Sequence, residues 1–416
     1  MKYWFPFILG LLIFSLDDTL VFAQKTPVRT GIEVLVESDF EQLAGNTVGL
    51  IVNHTALHEG GHLINLVHAA PNVTLGAIFG PEHGLRGTVE DGEAVKDGVD
   101  QLTGAPVNSL YGANKRPTME MLSGLDLLVF DIQDVGSRFY TFISTMGLSM
   151  QSAAEAGIPF IVLDRPNPLS GTYVSGFVLE PDQQSFVGQF SIPIAHGLTV
   201  GELAKMIKGE ALLPGLDSLD LQVISMEGWA RDMQWPDTGH SWVPTSPNIP
   251  NFETALVYPG TCFFEATSGS EGRGTLNPFL QVGAVGVDGD AIAAVLNEKS
   301  LPGVYFEVAE FTPEPLTSMD SAPKLNGQAI RGLGIRITDR QSYQPVETGI
   351  HILHAYYHAV SDPDEFLTRK EWLGKLSGTD RLAGMLISVT PEEIIASWQE
   401  DVADFSQRSE NYYLYQ

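Results

Sequence analysis

The chain has 416 residues, a formal net charge of −28, 44% hydrophobic residues and one cysteine. So acidic a surface excludes a nucleic-acid binder, whose phosphate contacts need a basic face, and an adaptor for anionic membranes. The length favours two domains or one large one, and a lone cysteine excludes an internal disulfide.

The N-terminus reads as an export signal. Lys2 precedes an apolar run from Tyr3 to Leu16, and Val21-Phe22-Ala23 gives a small-x-small exit before Gln24. The run is shorter than the roughly 20 apolar residues of a spanning helix. Residues 1–23 are therefore expected to be a removed leader, delivering the chain to the periplasm or the exterior with no membrane association afterwards.

From Asn46 onward, apolar β-type runs alternate with helical stretches. Strands are expected at Thr47–Asn53, Val73–Phe79, Leu125–Asp131, Pro159–Asp164 and Leu221–Met226. Helices are expected at Gly61–Ala70, Pro117–Ser123, Thr141–Ala156 and Thr199–Glu210. Strands that are apolar throughout and separated by helices make a parallel sheet covered on both faces. Residues 24–260 thus read as a Rossmann-like α/β catalytic domain. Trp229 to Pro259 is a loop-rich stretch with three tryptophans, ending near a domain boundary at about residue 260. Beyond it, strands at Val304–Phe311 and Gly332–Thr338, with helices at Asp290–Glu298, Gly349–Val360 and Pro391–Arg408, make 261–416 a smaller α+β auxiliary domain.

Ligands of open parallel sheets bind at the carboxyl ends of the strands. Those ends carry polar clusters here: Asn53-His54-Thr55, then Glu82-His83-Gly84-Leu85-Arg86, then Asp131-Ile132-Gln133-Asp134 with Arg138 and Tyr140, then Asp164-Arg165-Pro166-Asn167. No Gly-x-Gly-x-x-Gly follows the first strand and no Walker lysine motif occurs, so no nucleotide cofactor is expected. His351, His354 and His358 share a helix face, but their neighbours make a packing helix, and no metal is expected there. Cys262 reads as a small buried apolar residue.

Four ordered motifs resemble the exo-β-N-acetylmuramidase family of the NamZ type. They are Gly80–Gly87, Asp131–Tyr140, Leu163–Pro168 and Phe264–Thr275. The resemblance runs from about Thr47 to the tyrosine-rich C-terminus. It implies a cleft between a Rossmann-like domain and an auxiliary domain, and release of N-acetylmuramic acid from non-reducing ends of peptidoglycan-derived muropeptides or disaccharides. Two other readings remain: a non-catalytic muropeptide-binding protein, and a metal-dependent wall amidase or esterase.

Glycoside hydrolysis needs an acid for the leaving oxygen and usually a second carboxylate. Glu82, on a strand-end turn, is the candidate acid/base. The second group is left open among Asp134, Asp131, Glu265, Glu271 and the substrate's own acetamido group. Arg86, Arg138 and Arg273 are candidates for the lactyl carboxylate, because a guanidinium fork matches it bidentately. Asn53, His54, His83 and Tyr140 are expected to line the site. Trp229, Trp235 and Trp242 either stack on sugar or anchor their irregular segment.

Overall fold

A computed structural model describes residues 1–3, 27–59, 61–82, 84–85, 97–316 and 322–416. Nearly all of the expected leader lies outside the described residues.

The first half runs α1 (Gly31–Glu37), β1 (Thr47–Val52), β2 (Leu57–His58), β3 (Gly61–His62), α2 (Leu63–Ala69), β4 (Thr74–Gly80), β5 (Gly98–Val99) and β6 (Pro106–Ser109). It continues with β7 (Leu127–Asp131), α3 (Phe142–Ala156), β8 (Phe160–Leu163), α4 (Val200–Gly209) and β9 (Leu221–Ile224). These strands build one seven-stranded sheet in the order β5-β6-β4-β1-β7-β8-β9, with β2 and β3 pairing apart as a small ribbon. All neighbours in the large sheet are parallel except β5 and β6. Numbering the six parallel strands by sequence gives 3-2-1-4-5-6, the strand order of dinucleotide-binding folds.

Burial explains why these strands read as apolar throughout. Leu50, Val52, Ile78, Val129, Ile161 and Leu163 join one core with α1 and α2. Their alternates Ile51, Phe79, Leu128, Phe130, Phe160 and Val162 join another on the opposite face. Successive strand residues point to opposite faces, so a sheet sandwiched on both sides has no polar face to show.

The second half begins with α5 (Phe252–Thr261), β10 (Gln281–Val282), α6 (Gly289–Glu298), β11 (Val304–Phe311) and β12 (Ile330–Ile337). There follow α7 (Pro345–Ala359), α8 (Pro363–Phe366), α9 (Lys370–Ser377), α10 (Arg381–Ser388), α11 (Pro391–Ala396) and α12 (Gln399–Ser409). Three strands form an antiparallel sheet in the order β10-β12-β11, beneath a largely helical region. The core on the α3 side of the large sheet runs without a break into this region, through Tyr258, Phe264, Phe279, Leu353 and Trp398.

Several expected elements differ. Pro117–Ser123 forms turns rather than a helix. The tryptophan-rich stretch ends in α5, which holds Pro259 in its interior and spans the expected boundary near residue 260. The helix expected over Pro391–Arg408 is two, broken at Ser397 and Trp398. Trp398, at the break, is fully buried.

Candidate active site

At the end of β4 the chain turns sharply, with the Gly84 N–H donating to the Pro81 carbonyl at 2.9 Å. Gly84 has φ +70°, which a glycine adopts without strain. The turn projects Glu82, only 9% exposed, towards the start of α3. There Thr141, the residue capping α3, donates its hydroxyl to Glu82 Oε2 at 2.5 Å. Glu82 is thereby fixed against the N-terminal end of α3.

Glu82 opens onto a cavity of about 310 Å³. Tyr140, Thr141 and Phe142 line it from the sheet side; Tyr258, Glu265, Arg273, Phe279, Arg369 and Trp372 come from the second half. The walls are aromatic: Tyr258 packs edge-on to Phe279 at 4.9 Å and to Tyr140 at 5.8 Å between ring centroids. The Tyr140 hydroxyl donates to Thr245 Oγ1 at 2.7 Å.

Glu265 sits on the turn after α5, and two donors hold it: Arg273 Nη1 at 2.7 Å and the Trp372 indole N–H at 3.2 Å. Arg273 also meets Glu271 at 3.2 Å, and Lys324 meets the other Glu271 oxygen at 2.7 Å. Burial pushes the Glu271 carboxyl up, but Lys324 and Arg273 together outweigh it and hold it below its ordinary value. Glu271 is 3% exposed and does not line the cavity. It is an ionised brace behind Arg273. The Cys262 thiol lines the cavity from below, and burial pushes it well above its ordinary value, which suits a packing residue rather than a nucleophile.

The other strand-end clusters are spent largely on one another. Asn53 Oδ1 accepts from the backbone and hydroxyl of Thr55, and the Thr55 hydroxyl in turn accepts from Gln133 N–H at 3.0 Å. Arg165 grips Asp131 with two N–H groups, at 2.5 and 2.9 Å. His54 contacts the Pro244 carbonyl. Asp134 accepts from Gly136 N–H at 2.6 Å, is 4% exposed, and burial pushes its carboxyl up to about 7. Asn53 Nδ2, Gln133 Oε1 and Asp134 Oδ1 are buried with no hydrogen-bond partner among the described residues. None of Asn53, His54, Asp131 or Asp134 lines the cavity.

Arg138 is placed differently from the expectation of a carboxylate clamp. It is fully buried, and its guanidinium donates to the carbonyls of Phe177 (2.7 Å), Ile192 (2.9 Å) and Leu376 (2.9 Å). A fork already filled by three carbonyls, away from the cavity, has no room for a ligand. His83 and Arg86 lie outside the described residues. Trp229 and Trp235 are buried, and Trp242 packs edge-on to Trp235 at 5.1 Å, so all three anchor their segment. His351 is buried, the His354 and His358 rings lie tilted with centroids 4.3 Å apart, and His358 contacts the Leu386 carbonyl. Sequence reasoning passed over Arg369 and Trp372, which lie at the start of α9 in a stretch with the composition of an ordinary surface helix.

Carboxylates from two halves of the chain, lining one aromatic-walled cavity beside a Rossmann-like sheet, fit an α/β enzyme of the glycoside hydrolase kind. The chain belongs to the exo-β-N-acetylmuramidase NamZ family: the model of the family's N-terminal part matches residues 48–253 and that of its C-terminal part residues 256–415. It is 39% identical to the peptidoglycan β-N-acetylmuramidase NamZ of Bacillus subtilis (strain 168), over 99% of both chains. Two crystal structures of DUF1343 family proteins from Bacteroides fragilis NCTC 9343 share the fold. One has a TM-score of 0.85 at 38% identity and the other 0.76 at 32%, each covering 94% of this chain and 99% of its own.

Proposed function

We propose that the chain is an exo-acting β-N-acetylmuramidase that hydrolyses the β-1,4 bond linking terminal N-acetylmuramic acid to N-acetylglucosamine at non-reducing ends of peptidoglycan fragments. The observation that carries this reading is that Glu82 and Glu265, from opposite halves of the chain, open onto the same cavity. A cavity of about 310 Å³ is at the small end for ligand sites, and suits one terminal sugar rather than a threaded strand.

Glu82 serves as acid/base: it protonates the glycosidic oxygen as the bond to the anomeric carbon breaks, then draws a proton from the attacking water. Thr141 fixes the carboxyl through one oxygen. Glu265, held by Arg273 and Trp372, is the second carboxylate and stabilises or attacks the anomeric carbon. Arg369 is exposed at the cavity wall, where its guanidinium meets the Glu265 carbonyl at 3.3 Å and the Trp372 ring, and its fork takes the lactyl carboxylate. Arg273 is already neutralised by two carboxylates and acts through Glu265 instead. The N-terminal leader exports the chain to the wall compartment, the periplasm in a two-membrane cell.

Turnover of a chromogenic aryl N-acetylmuramide tests the assignment. Glu82→Gln and Glu265→Gln should each lower kcat by about a hundredfold or more while leaving muramic acid binding intact. Undiminished cleavage by Glu82→Gln would remove the acid/base from this site. A loss on chelation, with peptide rather than sugar released, would favour the amidase reading.

A further inference from the structure

The cavity has a neighbour. A second, more open hollow of about 740 Å³ is lined by Ser185, Asp364, Leu367, Thr368, Arg369, Lys370, Glu371, Trp372 and Lys375. Arg369 and Trp372 line both spaces, so the two share a wall, and the Arg369 guanidinium lies 5.0 Å over the Trp372 ring in that wall. A small cavity that takes one terminal sugar must let the rest of the glycan leave, and this hollow adjoins it across those two side chains.

Charge points to the occupant. The chain carries 23 basic against 51 acidic residues, yet Arg369, Lys370 and Lys375 gather within seven positions on this wall. Lys370 is neutralised by Asp364 at 2.7 Å. Lys375, half-buried on α9, has no carboxylate partner among the described residues. In so acidic a protein an unpaired lysine in a hollow attracts an anion, and a lysine ammonium donates a charge-assisted bond to a carboxylate. In an alternating glycan the first sugar past the scissile bond is neutral, and the next one bears a carboxylate.

Resting on the muramidase reading above, we infer that this hollow is the leaving-group side of the site, holding the released glucosaminyl residue against the Arg369–Trp372 wall and the carboxylate of the following muramoyl residue on Lys375. The enzyme is then tuned to glycan chains longer than the disaccharide. The bond hydrolysed is unchanged; the extra sugars contribute binding that is expressed in kcat/KM.

The test compares three substrates: an aryl N-acetylmuramide, the muramoyl-glucosamine disaccharide, and the tetrasaccharide that repeats it. The wild-type protein should cleave the tetrasaccharide with a kcat/KM about tenfold above the disaccharide, the worth of one charge-assisted bond. Lys375→Gln should erase that preference yet leave the aryl muramide rate within about twofold, and Lys375→Arg should keep the preference. Equal rates on both oligosaccharides in the wild type, or a preference that survives Lys375→Gln, overturns the assignment of the hollow. So does an equal loss on all three substrates, because Lys375 would then be holding the fold. No wild-type turnover of the aryl muramide or the disaccharide would instead sink the muramidase reading itself.

Discussion

Asp134 is a carboxylate shut away from water, with burial pushing it up to about 7. In the unfolded chain it titrates near the ordinary value of about 3.9. Below about pH 4 it is protonated in both states and costs nothing. Between about 4 and 7 the folded protein keeps a proton that the unfolded chain has released, so stability falls as pH rises through this window. Asp134→Asn keeps an acceptor for Gly136 and cannot ionise. It should therefore gain on the wild type as pH rises from 4 to 8, by up to about 4 kcal/mol. Denaturation midpoints of both proteins across that range check this; a pH-independent offset would show that Asp134 ionises normally in the fold. Aryl muramide turnover by the same variant tells whether Asp134 belongs to the chemistry or to the strand-end frame. Glu82, Tyr140, Glu265 and Arg273 stood out in the sequence because polar residues cluster around them in motifs, and the cavity brings them together. What the sequence did not reveal was partner choice. An arginine's type is the same whether its fork meets a carboxylate or, as in Arg138, three carbonyls. Arg369 and Trp372 were invisible because only the docking of α9 on the turn after α5 brings them to the cavity.

The sheet elements were legible because burial on two faces forces uniform apolarity, a pattern that a six-residue run already displays. The α5 helix was not, because Pro259 lacks the N–H that an interior position donates and so reads as a helix stop. Its stability comes instead from packing on α7. A Cβ at Gly260 would stand 2.1 Å from the Pro345 carbonyl oxygen, and one at Gly349 would stand 2.3 Å from Gly260 Cα. The two glycines bring the helix backbones into contact, and Tyr258 and Cys262 line the cavity on either side of that crossing. Gly260→Ala and Gly349→Ala should each destabilise by about 1–3 kcal/mol or more, since backbone rather than a side-chain tip must move. Activity should fall with stability as the cavity floor shifts. Gly384, in the middle of α10, has nothing within 4 Å of a would-be Cβ, so Gly384→Ala should stabilise by about 0.5–1 kcal/mol. Thermal melts of the three variants check the contrast. Equal midpoints for Gly260→Ala and wild type would mean that the helices cross less tightly.

Beyond the shared core, two polar ties among others join the halves of the described chain. The C-terminal tail returns to the large sheet: Tyr415 donates its hydroxyl to Asp164 Oδ2 at 2.6 Å, the Leu414 N–H donates to Glu202 at 2.9 Å, and Arg231 stacks on the Tyr413 ring at 3.4 Å. Arg138 is the second, bonding two carbonyls of the first half and that of Leu376 on α9. Burial strips the charge of solvent and lowers its pKa to about 9. Without it, three carbonyls would face an apolar interior. Each unsatisfied buried acceptor costs roughly 1–3 kcal/mol, so relief of the buried charge does not offset the loss of all three. Because Leu376 and Trp372 on α9 line the cavity wall, the loss should reach the site. Arg138→Met should lower stability by roughly 2 kcal/mol or more and raise KM for the disaccharide with a smaller change in kcat. Urea denaturation with steady-state kinetics checks both. An unchanged KM in a destabilised protein would show that α9 is held on the sheet by its apolar packing alone.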